Sequence, residues 1–120
     1  MAMNRVTIYH NPRCSKSRQA LELLEQHGVQ ADIVLYLETP PSVQQLTGLL
    51  QQLQLHPKSI VRFGEDRAEA LGIREHDERS ETEWIQLLAD NPVLIERPIV
   101  VCGSKAAVCR PPEKVLELLL

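Results

Sequence analysis

Arg5-Val6-Thr7-Ile8-Tyr9, then His10-Asn11-Pro12-Arg13-Cys14-Ser15-Lys16-Ser17-Arg18, then a helix-forming run to His27: this stretch decides how the chain folds. Its first five residues read as a strand. A polar turn carrying one thiol follows. Ala20, Leu23, Leu24 and His27 then fall on one helical face, with Leu21 widening it and Gly28 placed as the C-terminal stop. Cys14 or Ser15 is the expected N-cap. The backbone N–H groups after the cap have no partner inside the helix and point at whatever anion lies there.

A free thiol titrates near ~8.5, and a helix N-terminus with adjacent cations lowers that to roughly 3.5–7.5. A fall of about two units favours the thiolate by roughly 2.7 kcal/mol. Most free cysteines are small buried hydrophobes, but Cys14 is flanked by His10, Asn11, Arg13, Ser15 and Lys16. These neighbours point to an activated nucleophile instead. Cys14-Ser15-Lys16-Ser17 is also a Cys-x-x-Ser sequence, a dithiol redox motif whose second thiol is a hydroxyl. No disulfide can form inside that turn, so the reducing equivalent must come from elsewhere.

The 120 residues suit one domain, and a single domain over 1–120 is expected. A net charge of -3 argues against a nucleic-acid or membrane footprint, so neither partner is expected. Three cysteines without framework spacing suit a reducing cytoplasm. Neither a signal-peptide core of roughly 7–15 apolar residues nor a run of roughly 18 is seen. Four separated histidines without Cys/His spacing predict no metal site.

Ala31-Asp32-Ile33-Val34-Leu35-Tyr36-Leu37 reads as a second, largely buried strand, parallel to the first through a right-handed crossover. Thr39-Pro40-Pro41 breaks the chain. Ser42 with Gln45 forms a capping box for a helix whose apolar positions are Val43, Leu46, Leu49, Leu50 and Leu53. Its glutamines line the solvated side. Short helices are expected at Lys58–Arg62 and Glu65–Leu71. Glu75–Arg79 reads as a solvated connection, and Ser80-Glu81-Thr82-Glu83 caps a helix that turns Trp84, Ile85, Leu87 and Leu88 inward and ends at Asn91-Pro92.

Pro98-Ile99-Val100-Val101-Cys102, Gly103-Ser104 and Lys105-Ala106-Ala107-Val108-Cys109 read as a hairpin with Gly first in a type II′ turn. That turn sets the register: Cys102 faces Lys105, Val101 faces Ala106, and Arg97 falls opposite Arg110. Opposed like charges are unfavourable, so the two arginines either splay into water or share an anionic ligand. Cys102 then sits at the turn end of its strand, roughly 13 Å from Pro98, whereas Cys109 returns to the level of Pro98. Pro111-Pro112 starts a last helix with Val115, Leu116, Leu118 and Leu119 on its core side.

Four ordered motifs together resemble the glutaredoxin-linked arsenate reductases of the ArsC family. They are Tyr9-His10-Asn11-Pro12-x-Cys14-x-x-Ser17-Arg18, Leu35-Tyr36-Leu37-Glu38-Thr39-Pro40-Pro41, Glu96-Arg97-Pro98-Ile99-Val100-Val101 and Cys109-Arg110-Pro111. The Ser15-Lys16 pair resembles a subgroup distinct from members with Gly-Thr there. The resemblance implies an α/β, thioredoxin-like (glutaredoxin-like) fold: a four-stranded mixed sheet flanked by helices, with a helical insert at about 42–92. It implies Cys14 as the nucleophile, His10 as the residue that lowers its pKa, and Arg62, Arg97 and Arg110 as the basic triad for arsenate or a similar oxyanion. It further implies Asn11 and Arg18 as oxyanion-binding loop residues that organise the anion site, and Pro98 as the active-site cis-proline. No bound cofactor is implied; glutathione is the reducing co-substrate and glutaredoxin a partner.

Two other readings stay open on the residues. One is a same-fold thiol oxidoreductase with another substrate. The other is an Spx-type regulator that binds RNA polymerase, although such regulators usually carry Cys-x-x-Cys as a redox switch and Ser17 cannot form that disulfide.

Overall fold

The computed structural model describes residues 5–119. Its strands are β1 (Val6–Tyr9), β2 (Asp32–Val34), β3 (Ile99–Cys102) and β4 (Lys105–Val108). Its helices are α1 (Ser15–Gln26), α2 (Val43–Leu53), α3 (Asp66–Leu71), α4 (Glu81–Asp90) and α5 (Val115–Leu118). The strands form one mixed sheet in the order β2-β1-β3-β4, with β1 parallel to β2 and antiparallel to β3. Contacts group the chain into two compact units, one from residues 1–39 and 97–120 and the other from residues 40–96.

The first unit carries the sheet. Val6 and Ile8 of β1 and Val100 and Cys102 of β3 share a buried cluster with Ala20 and Leu24 of α1, Val115 and Leu118 of α5, and Cys109. Two-residue alternation in the strands puts these side chains on one sheet face, and α1 and α5 cover it. Each fully buried Leu or Ile contributes about 1.5–3 kcal/mol of transfer free energy. The buried side of α1 is Ser17, Ala20 and Leu24. His27 is exposed rather than inward, and its ring bonds the Leu23 carbonyl.

The hairpin has the register its turn dictates: Cys102 faces Lys105, Val101 Ala106, Val100 Ala107 and Ile99 Val108. Gly103 has φ +62, while Ser104 is not among the residues of positive φ, the sign pattern of a type II′ turn. Beyond the last pair, the Cys109 N–H donates to the Pro98 carbonyl at 2.8 Å.

Three elements differ from the sequence expectation. β2 spans only Asp32–Val34 and is mostly exposed, with Ile33 at 49%. It lies at the sheet edge, and the N–H groups of Glu38 and Thr39 both donate to the Leu35 carbonyl, closing a turn where a longer strand was expected. Of the apolar residues from 35 to 37, only Tyr36 is buried. The expected helix at Lys58–Arg62 is a 3₁₀ turn over Pro57–Ile60, and Val61 leaves it to bridge Ile95. At the C-terminus, Pro112–Lys114 is 3₁₀ and α5 starts at Val115, with Val115 and Leu118 buried and Leu116 and Leu119 half-buried.

The second unit is helical. Both capping boxes form: Ser42 with Gln45 on α2 and Ser80 with Glu83 on α4. Leu46, Leu49, Leu50 and Leu53 of α2 and Trp84, Ile85 and Leu88 of α4 are buried, while Leu87 is half-buried. Phe63 meets the Trp84 ring edge-on at 5.9 Å, and the Arg79 guanidinium lies 5.4 Å from the Trp84 ring centroid. Glu75, His76 and Glu78 are exposed, as a solvated connection requires, but Arg79 packs.

Candidate active site

The turn between β1 and α1 is held by its own polar side chains. Asn11 is buried; its Oδ1 accepts the Arg13 N–H at 3.0 Å and its carbonyl accepts the Cys14 N–H at 3.0 Å. Arg18 donates to the Pro12 carbonyl at 2.8 Å, and its own N–H donates to the Cys14 carbonyl. Asn11 and Arg18 thus fix the shape of the loop.

Ser17 is the hub. It is fully buried, its Oγ accepts the Asn11 N–H at 3.1 Å, and the same oxygen lies 2.6 Å from His10 Nδ1. Its role is invisible in a Cys-x-x-Ser reading, which records only that a second thiol is missing. Burial lowers the His10 pKa and the nearby Arg18 charge lowers it further, both favouring the uncharged ring. His10 meets Ser17, and the Ser17 amide is among the groups that lower the Cys14 pKa.

Cys14 is the N-cap of α1 and is half-buried. Burial pushes its thiol pKa up. Hydrogen bonds from the Ser17 amide, the Arg97 guanidinium and the Lys16 amide, with the Arg97 charge, outweigh it and leave the pKa below the usual thiol value. The helix amides and the Arg97 guanidinium are thus the groups that make this thiol more acidic. Arg110 adds a second guanidinium, its Nη1 4.0 Å from Cys14 Sγ. The same Nη1 donates to the Arg97 carbonyl at 3.0 Å, so one arginine braces the backbone of the other despite their like charge. The Arg97–Pro98 peptide is cis, and so is Arg110–Pro111.

Cys109 has the opposite character. It is fully buried in the sheet core, and burial drives its pKa up to about 12. Cys102 is buried at the far end of β3 opposite Val6 and Lys105. Arg62 lies in the second unit. Its Nε donates to Glu65 at 3.1 Å and its Nη1 to Glu96 at 2.7 Å, while its N–H donates to the Leu94 carbonyl. Glu65 and Glu96 as its partners were not foreseen from the sequence. Among the described residues no cluster of His, Cys, Asp or Glu is placed to hold a metal ion, and no helix is long and apolar enough to cross a membrane.

An acidified cysteine at a helix N-terminus beside two arginines, after β1 and in a chain with a cis-proline entering β3, is a whole-chain pattern, and residues 9–118 match the ArsC family model. The chain belongs to the ArsC family. It is 41% identical over 118 residues to the arsenate reductase of Neisseria meningitidis serogroup B, a match covering 98% of this chain and 100% of that protein. It is 48% identical over 115 residues to the Escherichia coli protein YfgD, covering 95% of this chain and 96% of that one. The arsenate reductase structure from Vibrio cholerae superposes with a TM-score of 0.92 at 44% identity, covering 98% of this chain and 100% of that one. The fold is thus the thioredoxin-like α/β fold of ArsC proteins, a four-stranded mixed sheet with helices.

Proposed function

We propose that this ArsC-family chain reduces arsenate to arsenite through a covalent Cys14 adduct, with glutathione and glutaredoxin supplying the electrons. The observation that carries the reading is the Cys14 sulfur, more acidic than an ordinary thiol and in reach of both Arg97 and Arg110. Arsenate is an oxyanion, and guanidinium groups bind such oxygens in pairs. The relatives named arsenate reductase, matched over nearly the whole chain, support the same assignment.

The cycle balances in three steps. The Cys14 thiolate attacks As(V), a sulfur–arsenic bond forms, and one arsenate oxygen leaves as water after taking a proton. A donor thiolate then attacks the Cys14 sulfur; the sulfur–arsenic bond breaks with its electron pair passing to arsenic, giving arsenite and a Cys14 mixed disulfide. A second thiol releases Cys14 and leaves the donor as a disulfide. Arg97 and Arg110 hold the oxyanion, and Asn11 and Arg18 shape the loop. His10 acts on Cys14 through Ser17, and Pro98 packs beside the reacting thiol. Arg62 enters as a third oxyanion ligand on the family resemblance. Arg62→Ala with unchanged kcat/KM and a lowered urea midpoint would make it a structural cation instead. A thiol cycle of this kind needs a reducing compartment, so the cytoplasm is its expected place.

The test is arsenate-dependent NADPH oxidation by the purified protein, coupled through glutathione, glutaredoxin and glutathione reductase. Turnover that needs all three components is expected. A folded protein whose Cys14 is still alkylated by iodoacetamide but shows no arsenate-dependent oxidation would remove arsenate as the substrate.

A further inference from the structure

Beside the active turn, within the first unit, lies a cleft of about 330 Å³ that the chemistry at Cys14 does not account for. One wall is the turn itself, through His10, Pro12 and Arg13; the other is the bend after β2, through Leu35, Leu37 and Glu38. Leu37 is 41% exposed there, an apolar side chain left half in water. Arg13 and Glu38 are both exposed. Among the described residues neither the Arg13 guanidinium nor the Glu38 carboxylate takes part in an ion pair, with each other or with a third group. An apolar cleft between two opposite charges that do not neutralise each other complements a zwitterion with an apolar stem. The cleft is walled by the four residues that precede Cys14 in the turn, His10 to Arg13, so a ligand in it lies against the segment that carries the reacting sulfur.

We propose that this cleft binds the electron donor: a short peptide thiol carrying a free ammonium and a carboxylate. The inference rests on the reading of Cys14 as a nucleophile regenerated by an external thiol. Arg13 takes a carboxylate of the donor through parallel N–H···O bonds, a geometry the planar guanidinium favours. Glu38 takes the ammonium. Pro12, Leu35 and Leu37 cover the methylene stem, and the thiol end faces the Cys14 side of the turn. The Ser17 and Lys16 amides and Arg97 lower the Cys14 pKa, so Arg13→Ala is expected to change donor binding and leave the nucleophile in place.

Oxidised glutathione is the probe, since Cys14 thiolate attack on it gives the Cys14–glutathione disulfide and releases one glutathione thiolate. Mass spectrometry follows the rate of that adduct in the parental protein, Arg13→Ala and Glu38→Ala. The control is bis(2-hydroxyethyl) disulfide, which undergoes the same exchange but carries no charge. Arg13→Ala is expected to slow the glutathione reaction about tenfold, the scale of one charge-assisted contact, and Glu38→Ala less. The hydroxyethyl reaction should stay within about twofold in both. An equal loss with both disulfides would mean that Arg13 acts on Cys14 itself, and no loss with either would mean that the donor binds elsewhere; each overturns the proposal. S-methylglutathione, which cannot react, should shift the amide resonances of Leu37 and Glu38, and shifts confined to other residues overturn it equally. Loss of arsenate turnover with this discrimination intact would count against the arsenate reading and leave the cleft standing.

Discussion

Cys14 and Cys109 carry the same side chain in the same compact unit, and their surroundings drive their acidity in opposite directions. Cys109 sits in the apolar cluster beneath β3 and β4, where its sulfur has only a weak contact with the Ala107 carbonyl at 3.7 Å. Cys14 is partly desolvated too, yet the amides of Lys16 and Ser17 and the Arg97 guanidinium reverse the sign. Burial alone therefore does not decide whether a thiol is inert. The number of hydrogen-bond donors aimed at the sulfur decides it.

The sharpest way to break this contrast is to exchange each sulfur for oxygen. Cys14→Ser should lower turnover by about three orders of magnitude or more, because a hydroxyl cannot enter arsenic–thiol or disulfide exchange. Cys102→Ser with Cys109→Ser should retain most of it. A Cys14–Cys109 disulfide in trapped turnover mixtures, with activity lost in Cys109→Ser, would replace the external thiol by an internal one.

The next effect is that of the arginines. Arg97→Ala should raise the Cys14 pKa, read from thiolate absorbance against pH, and cost about 10- to 100-fold in turnover. Arg97→Lys should fail nearly as badly, since an ammonium cannot bridge two oxyanion oxygens in a plane. Combined with Arg110→Ala the loss should be far from additive if both hold one anion. Simple multiplication of the two losses would show that they do not share a ligand.

Ser17→Ala comes next, at about 1–3 kcal/mol of stability by urea denaturation, because it leaves the buried Asn11 N–H and His10 Nδ1 without their shared partner. It should also move the Cys14 pKa, whereas an undisturbed Cys14 titration would confine Ser17 to folding.

The last effect belongs to Cys109 and opens only at alkaline pH. A thiol whose folded pKa is raised to about 12 contributes stability that is present below its ordinary value and is lost progressively as pH rises toward 12. The urea midpoint of the parental protein should thus fall across that alkaline window more steeply than that of Cys109→Ala. Parallel curves would mean that Cys109 is better solvated than its burial implies. Cys14 has the opposite sign: its depressed pKa contributes stability above the unfolded value that is lost as pH falls through the folded one.

What could be read in the sequence is what is local. The Gly103-Ser104 turn sets the hairpin register, and two serines three residues before Gln45 and Glu83 mark two helix starts, because each device lies within four residues. The Cys14 turn is legible for the same reason. The extent of β2 is not, since Ile33-Val34-Leu35 has the same apolar pattern whether the strand is central or at an edge. The Ser17–His10 bond is hidden because those residues meet only after the turn has formed. Arg62 illustrates the limit at longer range: Glu96 meets it through the pairing of Val61 with Ile95, and nothing in Val61-Arg62-Phe63-Gly64 announces that partner.

The strand order β2-β1-β3-β4 makes the central strand β1 wait for its second neighbour. On the ribosome, β1 and Cys14 emerge before β3, Arg97 and Arg110. Until the sheet closes, the nascent chain carries a thiol with helix amides at most and without the Arg97 and Arg110 guanidiniums. Its reactivity is switched on by completion of the fold, so a truncated or stalled chain carries the nucleophile without the charge that arms it.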